Sequence, residues 1–481
     1  MEQPDHQSLF LYNTLTKKCE KFTPNEGTTV KIYICGPTVY DSPHIGHART
    51  YISFDIIRRV LRDYFKYDVM FVMNITNIDD KIIKRAAEKN ISCEELGMIY
   101  EKEFLDEMEN LNVLRPDFIT RVTEYVPEIV KFIEKLEDKG MAYESNGSVY
   151  FNLTKYKETF KYNLLRPETT NEEEEDNSEK KSREDFVLWK ASKPGEPIYE
   201  SKWGKGRPGW HIECSVMASE ILGKKLDIHA GGIDLAFPHH ENEVAQCQGY
   251  FGDSWVKYFL HTGHLNIDGL KMSKSLKNFL TIRDIVQASS PLHLRVLFLQ
   301  HQWNKEMNYD QDQLKEADAI LKKIFNFVSN AESLVKRNDA RPLNDLDRKL
   351  IFDLEASREE VNSALRNNIN TSKALDVLLD LISNVNIHLK IAHTDVLRLL
   401  LNFILQILGI FGICQKKDVK NEDEKIAELL SSFRNEIRIA LKNKSDSKGL
   451  FEICDKVRES IKEFGYVIDD SQSGSVLRKS M

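Results

Sequence analysis

Between residues 31 and about 110 the hydrophobic period switches repeatedly between that of a strand and that of a helix, and no other feature constrains the fold as much. Lys31-Ile32-Tyr33-Ile34-Cys35 is short, apolar and β-branched, and Gly36-Pro37 ends it, as at the end of a buried strand. From Asp41-Ser42-Pro43 onward, a capping residue and a proline suited to the first helical turn precede a helical pattern through Ile52, Ile56, Ile57 and Val60. Val69-Met70-Phe71-Val72-Met73 then reads as a second buried strand, and Asp79-Asp80-Lys81 opens a second helix. Strands alternating with helices in this way imply a parallel α/β sheet.

The loop between the first strand and helix carries His44 and His47, three apart, on one face of the first helical turns. Unpaired N–H groups and the positive end of the helix dipole favour an anion there. Gly46, between the two histidines, lets a flat ligand approach the backbone. Either histidine alone would read as a capping or packed residue, so the choice depends on the rest of the chain.

The alternation breaks off at about residue 115. A charge-rich helix and a hairpin-like "GSVYFNLTKY" follow, then "NEEEEDNSEKKSRED", residues 171–185, too polar to bury anything and expected to be a disordered surface insertion. The α/β pattern resumes with "LDIHAGG" and "YFLHTGHLNI", and from about 282 to the end nearly everything has helical periodicity, with a polar break near 416–424. The expected organisation is a first half of a catalytic α/β domain (1–114), a connective insertion (115–205), the second half (206–281) and a helical region (282–481). At roughly 150 residues per domain, 481 residues are compatible with this.

A net charge of −8, from 67 basic and 75 acidic residues, gives no global signal for a polyanion partner, so any nucleic-acid surface must be a local patch. No stretch approaches the ~18 apolar residues of a membrane span, and the start lacks a basic n-region. A cytoplasmic location is expected. The seven cysteines are scattered without a C-x-x-C pair and read as reduced thiols.

Two further clusters carry chemistry. "GLKMSKSLKNF" places Lys271, Lys274 and Lys277 in a Gly/Ser-containing loop between a strand and a helix, which suits a triphosphate whose charge rises during displacement. In "FPHHENEVAQC", His239, His240, Glu243 and Cys247 are spaced so that a helix could present several of them on one face. With Cys214 from "GWHIECS", taken as a loop residue, and Cys35, a mixed S/N/O zinc site becomes possible. Spacing alone does not choose among His239, His240 and Cys247.

Together these clusters resemble one family. "HIGH", His44 to His47, and "KMSKS", Lys271 to Ser275, match the two signatures of class I aminoacyl-tRNA synthetases. "CGPTVYDSPHIGHAR", "NITNIDDKI", "GRPGWHIECS" and "FPHHENE" look specifically like cysteinyl-tRNA synthetases, strongly over residues 30 to 310 and loosely beyond. The resemblance implies a Rossmann-type catalytic domain split by the connective insertion and followed by an all-α anticodon-binding domain. It implies zinc ligands Cys35, Cys214, His239 and Glu243, one zinc per chain, with His240 and Cys247 left as outer partners or packing residues. It implies ATP contacts from His44, Gly46, His47 and Lys274, with His44, His47, Lys271 and Lys274 catalytic and magnesium accompanying ATP. Gly36, Thr76, Trp210 and Asp234 match positions lining the amino-acid pocket, and His211 and His229 its rim. The implied partners are ATP, L-cysteine and tRNA(Cys), with no membrane, and a monomer is the expected state.

Two positions depart from the family pattern: Lys202 stands where proline is common, and Leu477 takes the aromatic place in the tail "SGSVLRKS". A related ligase that joins cysteine to a glucosamine-inositol acceptor shares the zinc pocket but lacks most of the C-terminal helical region, of which this chain keeps about 170 residues. A non-catalytic RNA- or metal-binding paralogue would not need His44, His47 and Lys274 together.

Overall fold

The computed structural model describes residues 8–167, 179–271, 278–336, 339–413, 447–462, 466–471 and 474–479, with scattered positions between 429 and 440. It divides into two compact units, Met1–Ile413 and Cys414–Met481. At the centre of the first is a five-stranded, all-parallel sheet with spatial order Val256–Thr262, Leu226–Gly232, Thr29–Ile34, Asp68–Ile75, Phe118–Arg121. The strands are near-continuous apolar runs because both faces are covered. Ile32, Tyr33 and Ile34 are buried, as are Phe71 to Ile75.

The helix after the first strand spans Ile45–Arg59, starting two residues later than the proline predicts. His44 is its N-cap, because His44 and His47 cap each other's backbone, which fixes the boundary more firmly than Pro43. The far end of this helix is also held. The buried Asp55 carboxylate accepts from Arg59 Nε and from Arg295 Nη1, each at 2.8 Å, and Arg295 donates on to the carbonyls of Leu111, Asn112 and Phe411. The second helix, Asp80–Lys89, is capped by Asp79 as expected.

A four-stranded antiparallel sheet, Ala142–Ser145, Ser148–Phe151, Phe186–Ala191 and Gly206–Pro208, forms the insertion. Its acidic segment is not uniformly loose. Residues 168–178 lie outside the described residues, but 179–185 dock on the sheet. Asp185 is buried and accepts from Tyr143 Oη (2.7 Å), Leu153 N (2.9 Å) and Ser182 N (3.0 Å), and Lys157 pairs with Glu184. The polar composition concealed this because one carboxylate satisfies several buried donors. Asp185→Ala, which strands those donors, is expected to lower unfolding free energy by about 2–3 kcal/mol in a denaturant titration. Deleting only Glu172–Asn177 should leave it unchanged.

Beyond the sheet, Leu265–Ile267 pairs with Leu270–Lys271 and Met307–Tyr309. Four helices follow, Gln311–Leu334, Asp345–Arg366, Thr371–His388 and Thr394–Ile410. Their apolar faces, including Leu350, Leu378, Leu400 and Ile404, join the sheet's core without a break. The second unit holds the helix Ser447–Lys462 and a hairpin, Tyr466–Ser471 with Gly474–Lys479, so the tail is not helical throughout. Leu477 lies opposite Ile468 in that hairpin, and the polar break at 416–424 lies outside the described residues.

Candidate active site and metal centre

The chain leaves the Thr29–Ile34 strand toward one side of the sheet and builds the adjacent Leu226–Gly232 strand on the other, which opens a crevice at their carboxyl ends. Cys35 and Gly36 follow the first strand directly, and Gly231-Gly232 end the second.

Four buried donors meet at its base. Cys35 Sγ lies 3.6 Å from Cys214 Sγ, 3.6 Å from His239 Nε2 and 3.8 Å from Glu243 Oε1, and His239 Nε2 lies 3.2 Å from Glu243 Oε1. All four ligand atoms fall within 4.8 Å of one another. A tetrahedral cation bound to two thiolates at about 2.3 Å needs sulfurs about 3.8 Å apart, so the cluster fits zinc. Cys214 is not in a loop: it lies on the helix Trp210–Leu222, whose rigid turn aims it at the strand end. His239 and Glu243 come from the turn and helix that follow the second strand. Burial pushes the Cys35 thiol and the Glu243 carboxyl well above, and the His239 ring well below, their ordinary values. Burial therefore disfavours the charged forms of all three, and a cation bound among them would offset that cost.

A second group of four, Cys35, His229, His240 and Glu243, is equally close. In it, however, His229 Nε2 is 2.8 Å from Glu243 Oε2 and His240 Nδ1 is 2.7 Å from His261 Nε2, an arrangement suited to orienting the ligands from behind. His229 is thus wholly buried beneath the cluster and not at a rim. His211 Nδ1 touches His239 Nδ1 at 3.0 Å.

His44 and His47 stack with ring centroids 3.8 Å apart. His44 Nδ1 accepts from the His47 backbone N–H at 3.4 Å, and His47 Nδ1 accepts from the His44 N–H at 3.3 Å. In the neutral rings each proton then sits on Nε2, so the pair presents donors beside a helix N-terminus. Burial, with His44 alongside, holds His47 well below the ordinary imidazole value.

Residues 272–277, including Lys274 and Lys277, lie outside the described residues, as does the side chain of Lys271. Both ends of that loop are placed. Leu270–Lys271 pairs with Asn266–Ile267, while Leu280 O accepts from Ile45 N and Pro43 O accepts from Ile282 N, each at 3.1 Å. Leu280 and Ile282, which follow the loop, are therefore bonded directly to the start of the histidine helix.

Gly36 leaves no room for a side chain, since a Cβ there would sit 1.6 Å from Asn74 O. Its N–H donates to Asn74 Oδ1 at 2.8 Å, Asn74 Nδ2 donates to Thr76 Oγ1 at 3.2 Å, and Thr76 Oγ1 donates to the buried Glu213 at 3.1 Å. Trp210, 36% exposed, lays its ring 4.5 Å from that of His239, and Asp234 is exposed in the turn after Gly232. Glu213 and His261 are not foreseen from the sequence. Glu213 adjoins Cys214, but the partner that gives it a role, Thr76, is 137 residues away.

Solved structures place the fold. It matches Mycobacterium tuberculosis methionyl-tRNA synthetase in complex with methionyl-adenylate, with a TM-score of 0.62 at 16% identity over 84% of this chain and 94% of that one. It also matches the leucyl enzyme in a ternary complex from Agrobacterium radiobacter K84, with a TM-score of 0.61 at 11% identity over 81% and 84%. The fold is that of a class I aminoacyl-tRNA synthetase. Residues 21–319 match the family described as tRNA synthetases class I (C) catalytic domain. The chain is 54% identical to the cysteine–tRNA ligase of Encephalitozoon cuniculi over 98% of its length and 99% of that protein. It is 42% identical to that of Pyrococcus horikoshii over 98% and 99%, and 40% identical to the cytoplasmic cysteine–tRNA ligase of Dictyostelium discoideum over 98% and 77%. The chain belongs to the cysteine–tRNA ligase family, whose members are enzymes.

Proposed function

We propose that the protein activates L-cysteine with ATP, forming cysteinyl adenylate and pyrophosphate, and transfers the cysteinyl group to tRNA(Cys). The convergence of four buried S, N and O donors at the crevice, beside the histidine-capped helix, carries this reading.

The cysteine carboxylate is itself the nucleophile on the α-phosphate, so the protein's contribution is positioning and charge stabilisation. His44 and His47 donate from Nε2 to phosphate oxygens, with Gly46 leaving room for the nucleotide. Lys274, helped by Lys271, neutralises the leaving pyrophosphate, and magnesium accompanies the triphosphate. Gly36, Thr76, Trp210 and Asp234 line the amino-acid pocket. Cys35, Cys214, His239 and Glu243 hold one zinc per chain, which when bound supplies a soft Lewis acid that prefers a thiolate to a hydroxyl. His240 and Cys247 stay outside that set.

The helical region from 282 is proposed to hold the anticodon through unstacked bases and phosphate contacts. No described helix is long and apolar enough to cross a membrane. A cytoplasmic monomer is proposed.

The decisive experiment is ATP–pyrophosphate exchange across an amino-acid panel, followed by charging of tRNA and, in parallel, of a glucosamine-inositol acceptor. Exchange driven by cysteine and transfer to tRNA are expected. Exchange driven by another amino acid, or transfer to the sugar acceptor alone, would overturn the proposal.

A further inference from the structure

Asn74 is the polar exception in the buried part of its strand: Phe71, Val72, Met73 and Ile75 are apolar, and Asn74 is itself only 1% exposed. A buried amide costs free energy unless it is bonded, and a leucine in its place would carry no such cost. The bonds it makes lie at the candidate site. Ile34, opposite Met73, is the last residue of the Thr29–Ile34 strand in register with the Asp68–Ile75 strand. Two residues on, the Gly36 N–H donates to a side chain, Asn74 Oδ1, at 2.8 Å. Only the amide oxygen can accept from an N–H, so Nδ2 is turned to Thr76, and it donates to Thr76 Oγ1 at 3.2 Å. Thr76 Oγ1 also bonds Glu213 at 3.1 Å, and the Thr76 backbone pairs with Pro37 and Val39, each at 3.1 Å, in the loop that Gly36 opens. One side chain thus joins Gly36 to Thr76 where the backbone register between their strands has ended.

We propose that Asn74 is a positioning residue of the amino-acid pocket: it fixes the Thr76 hydroxyl and the Gly36 backbone relative to each other, so that these two walls are set before substrate enters. It acts through Thr76 and Gly36 and touches no reacting atom. Cys35 is held separately, since its N–H donates to Ala230 O at 3.1 Å and its carbonyl accepts from Tyr51 Oη at 3.1 Å. The inference rests on the functional reading above.

Asn74→Leu keeps the size of the side chain and removes both bonds. In cysteine-dependent ATP–pyrophosphate exchange its KM for cysteine should rise about 10- to 100-fold, because a misplacement of about 1 Å suffices for such a loss, while the KM for ATP stays within about threefold. Zinc content should match that of wild type. Thr76→Val should share the signature, and the double variant should lose less than the product of the two single losses, because Asn74 acts in part through that hydroxyl. A cysteine KM within about threefold of wild type in a folded Asn74→Leu protein would overturn the proposal. So would equal rises in the KM for cysteine and for ATP, which would mark a packing role, or losses that simply multiply in the double variant. A zinc content that falls in step with the cysteine KM would overturn it too, by moving the effect to the metal ligands. If Asn74→Leu does not fold, Thr76→Val decides alone, since an unchanged cysteine KM there leaves Asn74 no hydroxyl to position. A wild-type protein without cysteine-driven exchange would instead sink the functional reading itself, and the proposal with it.

Discussion

Cys214→Ser should raise the KM for cysteine by about 100-fold and collapse the preference for cysteine over serine, while the KM for ATP stays within a few fold. The hydroxyl is a hard donor, protonated at neutral pH, in a place where a thiolate 3.6 Å from Cys35 would complete the tetrahedron. Metal occupancy falls, and what remains is a pocket of ordinary walls. Such a pocket separates near-isosteres by only about 1–3 kcal/mol, or roughly 10- to 200-fold. Measuring kcat/KM for both amino acids, with zinc quantified on the same preparation, checks the account. A variant that loses zinc yet keeps the wild-type cysteine/serine ratio would refute it.

His44→Asn is expected to cut adenylate formation by about 10²- to 10³-fold with little change in cysteine affinity. The reciprocal caps between His44 and His47 make the choice of substitution matter. Alanine would remove both the phosphate donor and the helix cap, whereas asparagine is among the best N-cap residues and keeps an acceptor for the His47 N–H. The variant therefore isolates the Nε2 donor from the fold. Charge develops on the phosphates mainly in the transition state, so kcat should fall more than ground-state binding. Lys274→Ala should share this signature, falling at least ~10²-fold in adenylate formation. Equal losses in kcat and in cysteine binding, with an unchanged melting temperature, would mean that these groups do not act on the transition state.

Much of this is legible in the sequence. Period switching at Lys31–Cys35 and Val69–Met73 predicts the parallel sheet, because a strand covered on both faces must be apolar throughout and parallel neighbours must be joined by crossovers. Asp79 announces its helix through a capping carboxylate, a purely local effect. The readings that needed correction depended on partners distant in sequence. Asp185 looked like one more charge in a polar run, and only Tyr143 and Leu153, folded beneath it, make it buried. Pro43 pointed to a helix start that the mutual caps of His44 and His47 moved. Cys214, expected in a loop, lies instead on a helix that begins at Trp210.

By itself the sequence determined the chemical inventory: a sheet-forming α/β core, two histidines at a helix start, a lysine loop, and cysteine, histidine and glutamate side chains able to bind a metal. These follow from local propensity and residue chemistry, which do not depend on distant neighbours. Only the tertiary structure decided which of those groups share one space. The five parallel strands bring Cys35, Cys214, His239 and Glu243, up to 208 positions apart, within 4.8 Å of one another, and they place His229 and His240 against Cys35 and Glu243. Spacing along a chain constrains contacts within one helix or one strand. Contacts between strands depend on sheet order, set here by the reversal between Thr29–Ile34 and Leu226–Gly232, which no local pattern encodes.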